Sequence, residues 1–123
     1  MNYDFVPLPS RKPLNWPNHA RLALIVTINV EYWDLLKDTE QPYYAGGPSI
    51  LPDPLPGNVA DFPNYTWREY GQRVGVWRMI DAFDEAGVPA SITINAKAGL
   101  ERRQIIDAVN SRGWEIVAHN YVQ

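Results

Sequence analysis

Two side chains at the ends of apolar runs carry the chemistry this sequence offers. Glu31 directly follows Leu22 to Val30, an almost continuously apolar and β-branched stretch, and His119 closes the run Trp114 to Ala118. A carboxylate and an imidazole converging at one sheet edge suit general acid and base work on a carbonyl. Both are therefore candidate catalytic groups. Tyr32, Trp33, Asn95, Arg73 and Gln123 are the candidates for contacts with a substrate, and Asn29, Lys97, Asn120 and Tyr121 add polarity at the same strand ends. Strand ends also emerge into water in any α/β protein, so polar residues there have a second, purely structural explanation. His119 equally suits a hydrogen-bonded histidine that ends a buried strand. Arg73 and Arg78 either point at the site or sit on a solvated face, and His19 reads as a turn residue. Cysteine is absent, which removes thiolate nucleophiles, disulfides and thiolate metal ligands together.

The elements that must position these groups follow from periodicity. The run from Leu22 to Val30 has the pattern of a strand buried on both faces in a parallel sheet. Residues 34–69 hold Gly46, Gly47 and the prolines Pro48, Pro52, Pro54, Pro56 and Pro63, and read as a long loop packed through its aromatics. From Tyr70 the spacing of Val76, Met79, Ile80 and Phe83 predicts a helix ended by Gly87. Val88 to Ile94 predicts a second strand, Glu101 to Arg112 a second helix closed by Gly113, and Trp114 to Ala118 a third strand. Strands alternating with helices imply parallel pairing through right-handed crossovers. Ligands of such folds bind at the carboxyl ends of the strands, where Glu31, Asn95 and His119 fall. Residues 1–20, rich in proline, predict an extended arm, and the whole chain reads as a single partial domain with an α-β-α-β unit over residues 70–123.

Four stretches carry a family resemblance. They are Trp16-Pro17-Asn18-His19-Ala20-Arg21, Asn29-Val30-Glu31, Tyr70-Gly71-Gln72-Arg73-Val74-Gly75-Val76-Trp77-Arg78 and Gly113-Trp114-Glu115-Ile116-Val117-Ala118-His119. Together they resemble the polysaccharide-deacetylase (NodB-homology) superfamily, in particular its branch similar to cofactor-independent allantoinase and cyclic imide hydrolase. The third stretch is the most specific, because its glycines and paired arginines are not demanded by helix formation. The resemblance implies an α/β fold, the N-terminal portion of a distorted (β/α) barrel with about three parallel strands and two helices, incomplete as a stand-alone barrel. It implies hydrolysis of a non-peptide C–N bond. In sugar deacetylases of the superfamily, the first strand ends in a base and a metal-binding aspartate, and the third carries His-x-x-x-His. Here Glu31 falls at the base position and His119 at the first histidine, but Tyr32 replaces the ligand carboxylate and Gln123 the second histidine. Phenol and amide are poor zinc donors, so no cofactor is expected and His119 is only a weak candidate for a metal.

Composition bounds the remaining readings. A formal charge of −3 without a basic run gives no footprint for nucleic acid. Nothing at the N-terminus resembles a signal peptide and no apolar run reaches bilayer length, which makes the cytoplasm the expected location and excludes a membrane partner. The expected partners are a small-molecule substrate and further copies of the chain, since an unfinished parallel sheet leaves edges and apolar surface uncovered. Three functions stay open: a hydrolase of a cyclic amide, ureide or imide, with the chain a fragment of a longer protein; a metal-dependent sugar N-deacetylase; and a non-catalytic truncated fragment that self-associates.

Overall fold

The computed structural model describes residues 4–35, 51, 53, 55 and 59–122. Three strands, β1 (Thr27–Val30), β2 (Ser91–Ile94) and β3 (Glu115–Ala118), form one parallel sheet in the order β1-β2-β3. The register pairs Val30 with Ile94 and Ile94 with Ala118, so the three strands end level with one another. Alternation along each strand then decides the faces. Ile28, Val30, Ile92 and Ile94 pack with helical residues into one core, while Thr27, Asn29, Glu115 and Val117 stay exposed on the other face.

β1 is shorter than its apolar run predicts. Leu22, Leu24 and Ile25 are exposed, and pairing starts only at Thr27. The register that sets Thr27 against Ser91 would set Ile25 against Pro89, which has no N–H to give to a ladder. Ahead of β1 the arm is exposed and makes two short 3₁₀ turns, Leu8–Ser10 and Pro17–His19. His19 lies in the second of these turns, with φ 56°.

A helix also replaces the end of the expected loop. Asp61 caps α1 (Phe62–Tyr70), its Oδ1 accepting from the Asn64 N–H, and Pro63 sits in the first turn where no donor is missed. Helical backbone continues through a π-turn at Gly71–Gly75 into α2 (Val76–Ala86). The left-handed Gly87 (φ 64°) then ends it. A further short helix not expected there, α3 (Ala96–Glu101), precedes the second expected helix, Glu101 to Arg112, which forms as α4 (Arg103–Ser111) across a break at Arg102, and Gly113 (φ 65°) turns the chain into β3.

Packing is concentrated where the helices meet the sheet. Ile80, Ile92, Ile105 and Val109 are almost wholly buried, and the rings of Phe83 and Trp114 meet edge to face with centroids 6.0 Å apart. The carboxyl ends of α2 and α4 are joined by Arg112, whose guanidinium donates to both oxygens of Asp84 at 2.6 to 2.9 Å. β3, by contrast, is exposed along its length, with Ile116 and Val117 open to solvent.

Hydrogen bonding from Arg112 holds the Asp84 carboxyl below its ordinary 3.8, against the opposing effect of desolvation. A depressed carboxylate stabilises the fold above its unfolded value and loses that contribution as pH falls through its folded one. Asp84→Asn should therefore lower the melting temperature slightly at neutral pH, with the difference from wild type closing as the pH drops below 3.8 in a series of thermal melts.

Candidate active site

The level strand ends place Glu31, Asn95 and His119 in one row. Each follows the last residue of its strand, and the ladder continues one step beyond: the Asn95 N–H donates to the Val30 carbonyl and the His119 N–H to the Ile94 carbonyl. Glu31 and His119 thus share the carboxyl rim, two strand spacings or roughly 10 Å apart along the sheet. Asn95 stands between them, so the two candidate catalytic groups are not neighbours.

Asn95 is fully buried and uses both ends of its amide. Its Oδ1 accepts from the Tyr32 N–H at 2.7 Å, where β1 has just ended. Its Nδ2 faces the other way, donating to the Asn120 carbonyl at 3.1 Å and meeting His119 Nδ1 at 3.2 Å. One side chain on the central strand therefore ties down the chain leaving both outer strands.

Glu31 is held from the helical side. Arg68, buried in α1, donates to Glu31 Oε2 at 3.1 Å and to Asn64 Oδ1 at 3.0 Å. The Asn64 amide in turn donates to Asp61 at 2.6 Å. The guanidinium lies between two indoles, 4.3 Å from the ring centroid of Trp33 and 4.5 Å from that of Trp67, an arrangement that favours a planar cation. Gln72, one turn further on, donates to the Glu31 carbonyl at 2.7 Å. Its Oε1 is buried and has no hydrogen-bond partner among the described residues. A cleft of about 300 Å³ lies between β1 and this helix, with Glu31, Asn29, Arg68, Gln72 and Trp67 on its wall. His119 does not line it.

The other expected contact residues divide. Tyr32 lies under Lys97, whose Nζ is 4.5 Å from its ring and 3.5 Å from Asp34 Oδ2. Desolvation opposes the Lys97 charge, but the hydrogen bonds and charges of Tyr32 and Asp34 outweigh it and lift the ammonium above its ordinary 10.5. Trp33 is buried against Arg68. Arg73 turns outward to pair with Glu69 at 2.6 Å, which raises the guanidinium further above its ordinary value, and it does not line the cleft. Gln123 lies outside the described residues. Arg68 and Gln72, which do hold Glu31, were not among the sequence candidates. Their signal is the four-residue spacing of Asn64, Arg68 and Gln72, a buried polar stripe visible once a helix is started at Asp61.

Comparison with known proteins gives a distant similarity. The chain is 26% identical over 117 residues to a Schizosaccharomyces pombe protein named "Putative polysaccharide deacetylase", covering 86% of this chain and 34% of that one. It thus spans about a third of the length of this curated relative. No family model matches the chain, and no solved structure matches it. The similarity points to the polysaccharide-deacetylase superfamily and no further; it gives no support to the cyclic-amide branch.

A superfamily deacetylase would carry a divalent metal, and the donors here fit one poorly. Glu31 is ion-paired with Arg68, Tyr32 lies beneath an ammonium, and His119 Nδ1 is already met by an amide. Among the described residues no three His, Asp or Glu side chains group closely enough to hold a metal ion. No helix among them is long and apolar enough to cross a membrane.

Removing one partner of a buried ion pair leaves the other without compensation. Because Glu31 keeps 18% of its side-chain exposure, Arg68→Met should destabilise the protein by about 2 kcal/mol rather than the larger loss of a fully dry pair. A urea midpoint shift at unchanged slope measures it. A shift under about 0.5 kcal/mol would show that the indole cradle holds no energetically significant pair.

Proposed function

We propose that the chain is part of a hydrolase acting on a non-peptide C–N bond, most readily that of a cyclic amide, ureide or imide. The observation that carries this reading is the row of Glu31, Asn95 and His119 along one rim of a parallel sheet. The reading takes the three strands as the N-terminal portion of a distorted (β/α) barrel, with the row along its carboxyl rim. A small ring lying across Asn95 would meet Glu31 on one side and His119 on the other.

The chemistry follows from the groups present. Glu31 Oε1 has no hydrogen-bond partner among the described residues, while Oε2 is fixed by Arg68. Such a carboxylate takes a proton from water as the water oxygen attacks the ring carbonyl. The charge that develops on the carbonyl oxygen needs a donor on the far side, and His119 stands there. Breaking the C–N bond returns a proton to the leaving nitrogen and opens the ring, so the hydroxyl of water ends on the new carboxyl carbon and its hydrogen on the nitrogen of the same ring-opened product. A cyclic imide or ureide carbonyl is more electrophilic than an acetamide, which suits a site whose donors do not form a metal centre. Tyr32, which follows Glu31 directly, would bound the substrate at the rim. We place the protein in the cytoplasm and expect it to self-associate through its exposed edge strands.

A second reading is favoured by the name of the yeast relative: a metal-dependent sugar N-deacetylase. Turnover of a panel of imides, ureides and N-acetylated sugars separates the two. Glu31→Gln should lower turnover of a cyclic substrate by at least about 100-fold without lowering the melting temperature by more than the loss of one ion pair, and chelation should leave wild-type activity unchanged. Zinc-dependent turnover of an N-acetyl sugar, lost on chelation, would replace this reading with the second.

A further inference from the structure

His119 is exposed, yet one of its ring nitrogens faces a side chain that is not free to turn. The Tyr32 backbone N–H can only donate, so the atom of Asn95 that it meets at 2.7 Å must be the oxygen. The opposite atom must then be Nδ2, an assignment that the Asn120 carbonyl, 3.1 Å away and able only to accept, supports independently. Nδ2 carries two hydrogens and no lone pair, so at 3.2 Å it can only donate to His119 Nδ1. A flipped amide would face N–H to N–H at Tyr32 and oxygen to oxygen at Asn120. In a fully buried side chain neither group could turn to water instead.

We infer that Asn95 is a positioning residue that fixes His119 as the tautomer carrying its proton on Nε2, so that the imidazole presents a hydrogen-bond donor at the rim. The lone pair that a zinc ion would need at Nε2 is occupied by that proton, and the one at Nδ1 is covered by the amide. The inference deepens the proposed function, on which its catalytic meaning rests: His119 supplies the donor for the carbonyl oxygen rather than a metal ligand. The tautomer itself stands on three hydrogen bonds and not on any activity.

The chain has two histidines, which makes the test direct. Long-range nitrogen–proton correlation spectra of the ¹⁵N-labelled protein, taken at about pH 8.5, above the ordinary imidazole range, report which ring nitrogen is protonated. His19, exposed in its 3₁₀ turn, supplies the solvent-averaged reference, and His19→Gln assigns the signals. His119 should show the Nε2–H pattern more completely than His19, and added zinc should leave its Nε2 resonance in place. Asn95→Asp, which replaces the donor with an acceptor, should move His119 toward the Nδ1–H form. A wild-type His119 that matches His19, that carries its proton on Nδ1, or that binds zinc through Nε2 overturns the inference, even if the Asn95→Asp protein does not fold. An Asn95→Asp protein that folds and keeps the wild-type pattern overturns the role of Asn95. Loss of the hydrolase reading alone, by absence of turnover, leaves all these spectra unchanged.

Discussion

The buried amide of Asn95 is the constraint on which the rim depends. A parallel strand that ends must find partners for the backbone groups its ladder no longer satisfies, and unpaired groups in a buried position are costly. Asn95 meets that need for the Tyr32 N–H beyond β1, and on the other side it shares the Asn120 carbonyl beyond β3 with the Ala96 N–H. The same two hydrogen bonds set where Glu31 and His119 leave the sheet. Stability and placement of the candidate site thus share one side chain.

The helical side contributes a second constraint of a different kind. Arg68 is kept in a nearly dry position by two indoles, Asn64 and Glu31, so its charge is compensated from every side at which it has been given a neighbour. The ion pair with Glu31 offsets part of the cost of burying that guanidinium, which couples the orientation of the carboxylate to the packing of α1. The π-turn at Gly71–Gly75 contains Gln72, the last residue of the polar stripe. π-turns inside α-helices are frequent beside functional sites, and this one carries a residue that grips Glu31.

Much of the architecture was legible in the sequence because local and global signals agreed. The helix, glycine, strand phrase at Gly87 and at Gly113 appears in the structure at both places, since each glycine takes the left-handed conformation that the turn requires. The carboxyl-end placement of Glu31, Asn95 and His119 followed from alternation of strands and helices. Other features turned on tertiary partners that a single sequence does not display. Leu22 to Ile25 have strand composition, but their register runs into Pro89, just ahead of β2. α1 was hidden because Asn64 and Arg68 make its buried face polar, which defeats an apolar periodicity. Arg68 was not singled out because burial of its cation depends on Trp33, thirty-five residues earlier in the chain.

Amide hydrogen exchange at Tyr32 tests the central claim most directly. This N–H lies just past the last ladder pair of β1, and the Asn95 side chain supplies its acceptor. It should be protected about as strongly as the Asn95 amide, which donates to Val30, and should lose that protection in a folded Asn95→Ala variant while the ladder amides keep theirs. Exchange of Tyr32 at the rate of an open loop amide in the wild-type protein would contradict the account.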